Sequence, residues 1–128
     1  MNVLVVDTSV WISYFKGNPY PSLDLALKEG RVYLPPIVAA ELLSSRLKPS
    51  ERDRLVDFLK ELPLCVTDFD HWQRVGELRS KLSEKGFHVS TPDAHIAQCS
   101  LDLEGYLMSD DLVFLKVSKS LHLKLIAE

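Results

Sequence analysis

Hydrophobic and polar positions along the chain fall into short unbroken apolar runs separated by longer stretches with a helical period. Val3 to Val6 is aliphatic throughout rather than alternating, the pattern of a strand covered on both faces of a parallel sheet, and it predicts the central strand. Similar runs recur at Val32 to Leu34, Leu64 to Val66 and Tyr106 to Met108. Leu55, Phe58, Leu59 and Leu62 repeat at helical spacing and predict a helix over 51–62, with Asp53, Asp57 and Lys60 on its solvated side. A second helix is expected to open near Thr67, with Asp70 completing a capping box. It carries Trp72, Val75, Leu78 and Leu82 on one stripe and stops before Gly86. Ser22 to Glu29 predicts a shorter helix closed by Gly30, and Leu121, Leu123 and Leu125 alternate with His122 and Lys124 as in a half-exposed edge strand. This alternation of strands and helices predicts a single three-layer α/β/α domain over residues 1–128 with a mostly parallel sheet.

Composition narrows the function classes only a little. A 46% hydrophobic share with 26% charged residues is globular, which sets aside disordered, collagen-like and coiled-coil chains. Acids outnumber bases 18 to 15, so nucleic-acid binding would need a local basic patch or a metal ion. Cys65 and Cys99, the two cysteines, are too few for a disulfide framework and lack zinc-like spacing, which points to a reducing cytoplasm. The opening apolar run is too short for a signal peptide and no later stretch approaches a membrane span, so a soluble protein is expected.

In such folds the site lies where the strands end, and acids at those ends stand apart from ordinary surface acids. Asp7 closes the first strand, and Asp111 follows the Tyr106 to Met108 strand by three residues. Either acid would serve as a helix cap, although Thr8 or Ser9 would cap the first helix equally well. Glu41, on a helix opening near Pro36, has Ile37 and Val38 one turn before it, so it is expected on an apolar stripe, where burial would demand a cationic partner. Asp57, among Asp53, Arg54, Lys60 and Glu61, is ordinary surface chemistry by contrast. Asp93 follows a Thr91 cap and Pro92, in the first turn where the helix dipole favours an anion, over Ile96, Ala97 and Ser100. Four acids from separate strand ends and helices converging on one rim would repel one another, and a divalent cation is the simplest relief.

Other chemistry finds less support. His71, His88, His95 and His122 lie in dispersed contexts and are expected to be structural or at the surface. No phosphate-cradling glycine loop, nucleophile elbow or Cys/His zinc pattern is present. Trp11, Tyr14 and Phe15 at helical spacing read as core or an interface patch.

The blocks Val3-Leu4-Val5-Val6-Asp7-Thr8-Ser9-Val10-Trp11-Ile12, Pro36-Ile37-Val38-Ala39-Ala40-Glu41-Leu42, Pro92-Asp93-Ala94-His95-Ile96-Ala97 and Ser109-Asp110-Asp111 resemble, in order and spacing, a PIN domain, especially the VapC-type ribonuclease toxins. The resemblance covers essentially the whole chain. It implies that Asp7, Glu41, Asp93 and Asp111 are the catalytic acids and bind Mg²⁺ or Mn²⁺, with Asp7 and Asp93 as direct ligands and Glu41 and Asp111 acting through water or a second metal. Ser109, Asp111 and Phe114 fit the family's closing Thr-x-Asp-x-Asp-Phe pattern, with Val113 in place of its second aspartate. Thr8, Ser9 and Ser109 are expected to hydrogen-bond around the acids, and Lys16, Arg46, Lys48, Lys116 and Lys119 are candidates for the RNA backbone. The resemblance further implies hydrolysis of RNA phosphodiester bonds, a cytoplasmic homodimer, and a small antitoxin whose arginine would suit the acidic pocket. Two rivals place a phosphoryl group on Asp7. A receiver domain wants paired acids after the first strand, where Thr8 stands, and a haloacid-dehalogenase-type phosphatase wants an acid in place of Ser9. Both leave Glu41 without a role.

Overall fold

A computed structural model describes residues 2–128 of the protein. The sheet consists of β1 (Leu4–Val6), β2 (Val32–Tyr33), β3 (Tyr106–Met108) and β4 (Lys124–Ile126), all parallel, in the order β2-β1-β3-β4. Successive strand residues face opposite sides, and Leu4, Val5 and Val6 are all buried, so both faces of β1 are covered. That is the central position and the layering expected of the aliphatic run, while β4 lies at the edge.

Seven helices connect and cover these strands among the described residues: α1 (Thr8–Phe15), α2 (Pro21–Lys28), α3 (Pro36–Leu43), α4 (Pro49–Lys60), α5 (Phe69–Glu84), α6 (Thr91–Asp102) and α7 (Leu112–Ser120). α6 packs on β1 and β3, and α5 packs along α6 in the most extensive helix contact of the fold. Residues Ala94 to Ser100 of α6 are buried all round, which the sequence pattern does not advertise because an amphipathic stripe is missing there.

Three expectations change. Leu64 to Val66 forms a lone parallel bridge between Leu34 and Leu64 rather than a strand. Pro63 lacks an N–H, and Leu64 and Val66 stay exposed, so nothing covers the run and only Cys65 among its residues is buried. Asp68, not Thr67, caps α5 by accepting the His71 N–H at 3.1 Å, a carboxylate being the better acceptor at a helix N-terminus. Ser90, not Thr91, caps α6, which leaves Asp93 in the first turn with its N–H donating to Ser90 Oγ at 3.2 Å.

Gly105 sets the junction that delivers the site. Any Cβ there would lie 2.5 Å from the Val3 carbonyl oxygen, so only glycine lets the chain turn in beside β1. The Tyr106 N–H then donates to Val3 O, and at the far end the Asp7 N–H donates to Met108 O at 3.0 Å. Ser109 thereby follows directly beside Asp7.

Candidate metal centre at the sheet edge

Asp7 ends β1 and caps α1 at once, so the capping role that Thr8 or Ser9 would have filled belongs to the acid itself. Its Oδ1 accepts the Thr8 N–H at 2.8 Å, while Oδ2 accepts hydroxyl hydrogens from Ser9 at 3.0 Å and Ser109 at 2.9 Å. The residue is only 6% exposed. Burial pushes its carboxyl above the ordinary range, opposed by the Ser109, Ser9 and Thr8 donors and reinforced by the charge of Asp111.

Asp93, half-buried on the first turn of α6, is raised for the same first reason, then by the charges of Asp7, Asp111 and Glu41. Asp7, Asp111 and Glu41 therefore lie near enough for their charges to reach Asp93. Asp111 is exposed and caps α7, its Oδ1 accepting the Val113 N–H and its own N–H donating to Ser109 Oγ, both at 3.0 Å. Ser109 thus ties Asp7 to Asp111.

Glu41 departs from expectation. It is exposed on α3 rather than buried on an apolar stripe, because Val38 and Leu42 take the inward face. Burial therefore creates no demand for a cation there. Its Oε1 instead accepts the Thr8 hydroxyl at 2.7 Å, which aims the carboxylate toward the rim. The gathering is also looser than expected: among the described residues no three acids bring their oxygens within 4.8 Å of one another, as His71, His95 and Cys99 do with their donor atoms. An open set of hard oxygen donors fits Mg²⁺ or Mn²⁺, which keep several waters and take few direct carboxylates.

A PIN domain model matches residues 4–120, spanning all four acids. The chain belongs to the PIN domain family. Its fold is similar to that of three solved complexes. VapBC2 from Rickettsia felis, bound to a promoter DNA fragment, is 23% identical over 98% of each chain with a TM-score of 0.79. DNA-bound VapBC from Salmonella typhimurium is 21% identical over 99% of this chain and 98% of that one, with a TM-score of 0.81. VapBC-5 from Mycobacterium tuberculosis, a member of a family of toxin–antitoxin systems, is 22% identical over the full length of both chains, with a TM-score of 0.69. At these identities the likeness speaks for the fold. No curated protein matches the sequence.

Beside the PIN site the structure assembles a second cluster that sequence reading dispersed. His71 on α5 and His95 on α6 are both fully buried, with His71 Nε2 and His95 Nδ1 2.8 Å apart. Asp102 Oδ2 lies 2.7 Å from His71 Nδ1, and Arg74 and Gln98 also donate to that carboxylate. His95 and Cys99 stand one helical turn apart, the single hint available beforehand, and their Nε2 and Sγ are 3.7 Å apart. His88 and His122 take no part in this cluster. No described helix is long and apolar enough to cross a membrane.

Proposed function

We propose that the protein is a divalent-metal-dependent endoribonuclease, acting on RNA phosphodiester bonds as the toxin of a type II toxin–antitoxin pair in the cytoplasm. The observation that carries this reading is the hydrogen-bonded edge on which Ser109 joins Asp7 to Asp111 and Thr8 joins Asp7 to Glu41, four carboxylates with Asp93 whose mutual repulsion a divalent cation would relieve. Asp7 and Asp93 would hold such an ion directly, and Glu41 and Asp111 would reach it through water. When bound, Mg²⁺ or Mn²⁺ supplies positive charge to the scissile phosphate and acidifies a water for in-line attack.

The chain's own residues do the rest. Ser9, Ser109 and the Thr8 N–H hold the Asp7 carboxylate in one orientation, so little reorganisation is needed as charge develops. Thr8 occupies Glu41 Oε1, leaving Oε2 to accept a proton from the attacking water. Four acids on one rim would repel the RNA backbone, a repulsion that a bound cation would offset. Lys16, Arg46, Lys48, Lys116 and Lys119 are exposed and carry the backbone contacts outside the rim.

An apolar groove of about 420 Å³, walled by Phe15, Leu47, Leu55 and Phe58 with Arg54 and Glu51 at its side, offers an antitoxin segment a surface away from the acids. An antitoxin arginine reaching the rim would neutralise it, and the active toxin is a homodimer. Phosphorylation of Asp7, as a receiver or phosphatase would require, is opposed by its burial and by donors already engaging both of its oxygens.

The test is Mn²⁺-dependent cleavage of single-stranded RNA by the antitoxin-free chain, lost in Asp7→Asn and in Asp93→Asn. Intact RNA after incubation with the wild-type protein and Mn²⁺, or stable labelling of Asp7 by a phosphoryl donor, would overturn the reading. Anomalous scattering from a Mn²⁺ soak identifies the ligands independently.

A further inference from the structure

A polar hollow of about 300 Å³ lies where the loop after α5 folds back on that helix, lined by Gly76, Arg79, Ser80, Ser83, His88 and Val89. Gly76, Arg79, Ser80 and Ser83 stand at helical spacing on one face of α5. Arg79 Nε donates to the Val89 carbonyl oxygen at 2.9 Å, which fixes the guanidinium and leaves its two terminal nitrogens without a partner among the described residues. Arg31 and Arg74, by contrast, are paired with Glu29 and Asp102, and none of the three ion pairs among the described residues takes in Arg79. A positioned cation therefore faces the hollow with no carboxylate to neutralise it.

Gly76 is the second sign of a ligand. It sits inside a 16-residue helix, where glycine is less stable than alanine, yet its backbone is not left-handed and a Cβ built there would meet nothing within 4 Å. Neither packing nor conformation requires the glycine. What its bareness does is keep the floor of the hollow at the level of the backbone, which lets a bound group approach closely.

We propose that this hollow is a subsite for a backbone phosphate of single-stranded RNA, outside the acid rim, with Arg79 as its anchor; the identity of the ligand rests on the nuclease reading. The terminal nitrogens of Arg79 match two phosphate oxygens. Ser80 and Ser83 add hydroxyl donors, and His88 adds a ring N–H that either neutral tautomer supplies. Val89 precedes Asp93 by four residues, so no more than about 14 Å of chain separates the hollow from the rim. Lys116, on α7 beyond Asp111, holds its Nζ 5.9 Å from the centroid of the Phe87 ring, next to His88. Positive charge thus runs from beside the rim to the hollow, and a strand with one phosphate among the acids reaches Arg79 with a neighbouring one.

The experiment is fluorescence anisotropy of the full chain with a short dye-labelled single-stranded RNA, in EDTA to prevent cleavage, across a series of KCl concentrations. Arg79→Gln should weaken binding about 10-fold and lower the slope of log affinity against log salt by about 0.7, the loss of one phosphate contact. Lys81→Gln removes the same charge from the other side of α5 and should leave affinity and slope near those of the wild type. Gly76→Gln fills the hollow from its floor without touching a charge. It should weaken binding about 5-fold while raising the melting temperature, two opposite movements that a purely structural glycine would not give. Equal affinity and slope for Arg79→Gln and the wild type, or an equal loss in Lys81→Gln, would overturn the subsite. The two readings fail separately. Wild-type protein that cleaves RNA in Mn²⁺ while Arg79→Gln binds normally removes the subsite alone, whereas RNA left intact by the wild type while Arg79→Gln still lowers the slope removes the nuclease chemistry and keeps the subsite.

Discussion

The acid rim and the histidine–cysteine cluster both hang on α6, one from its first turn and the other from its middle and end, yet they are built on opposite terms. At the rim, Asp93 meets three other acids and its carboxyl is pushed up by burial and repulsion. In the cluster, His71 and Asp102 satisfy each other, and burial, with the neighbouring His71, pulls His95 down to about 4. Asp102 is pulled up by burial, but Arg74, His71 and Gln98 outweigh that and hold it below its ordinary value. Cys65 beside it, and then burial, push the Cys99 thiol up. One cluster carries an electrostatic cost, whereas the other has already spent its polar groups on one another. That difference separates binding strain from packing within a single helix.

The largest effect expected is at Asp7. Asp7→Asn keeps an acceptor for the Thr8 N–H but removes the charge, so RNA cleavage falls by more than about 100-fold. The same substitution raises the melting temperature of the metal-free protein, because the wild-type carboxylate is buried at a cost. A thermal scan in EDTA beside an RNA cleavage assay checks both, and a lower melting temperature would break the comparison.

Next comes Ser109→Ala, which removes the hydroxyl that donates to Asp7 and accepts from Asp111. The Mg²⁺ concentration for half-maximal cleavage should rise by about 10- to 100-fold. Thr8→Val, which frees Glu41, should lower the rate at saturating Mg²⁺ by about 10-fold, measured on the same RNA.

On the cluster side, Asp102→Ala strips His71 Nδ1 of its acceptor and should cost about 1 to 3 kcal/mol in denaturant unfolding, leaving the Mg²⁺ dependence of cleavage unchanged. A change in Mg²⁺ dependence would mean that the two clusters are one.

The smallest and most discriminating effect is the pH dependence. Asp7 and Asp93 have folded values above 3.8, so their contribution to stability is present in acid and is lost as pH rises through the raised values. His95 runs the other way: its contribution is present above 6.5 and is lost as pH falls toward about 4. The stability gained by Asp7→Asn in EDTA should therefore be greatest near neutrality and fade in acid, and Mg²⁺ should abolish it. Melting curves across that range for the two proteins check the sign.

The position of these residues at the sheet edge was legible in the sequence because strand ends are fixed by local pattern. The run closing at Val6 puts Asp7 on the edge, the Tyr106 to Met108 run puts Ser109 beside it, and Pro92 marks the turn that carries Asp93. The exposure of Glu41 was not legible, since which face of α3 turns inward depends on α1, α4 and α6 packing against it. The Leu64 to Val66 run was misleading for a related reason: apolar residues propose a strand, but only a covering layer makes one.

Taken alone, the amino-acid order determined most of the strand and helix succession, a mostly parallel sheet and the acids that stand at its strand ends, because these follow from periodicity and from residues adjacent in the chain. Tertiary structure alone decided that His71 meets His95, 24 positions away, and that Asp102 and Cys99 join them. The reason is physical. The crossing of α5 over α6 is set by the packing of whole helix faces, and no local pattern encodes which two polar side chains that crossing will bring within hydrogen-bonding distance.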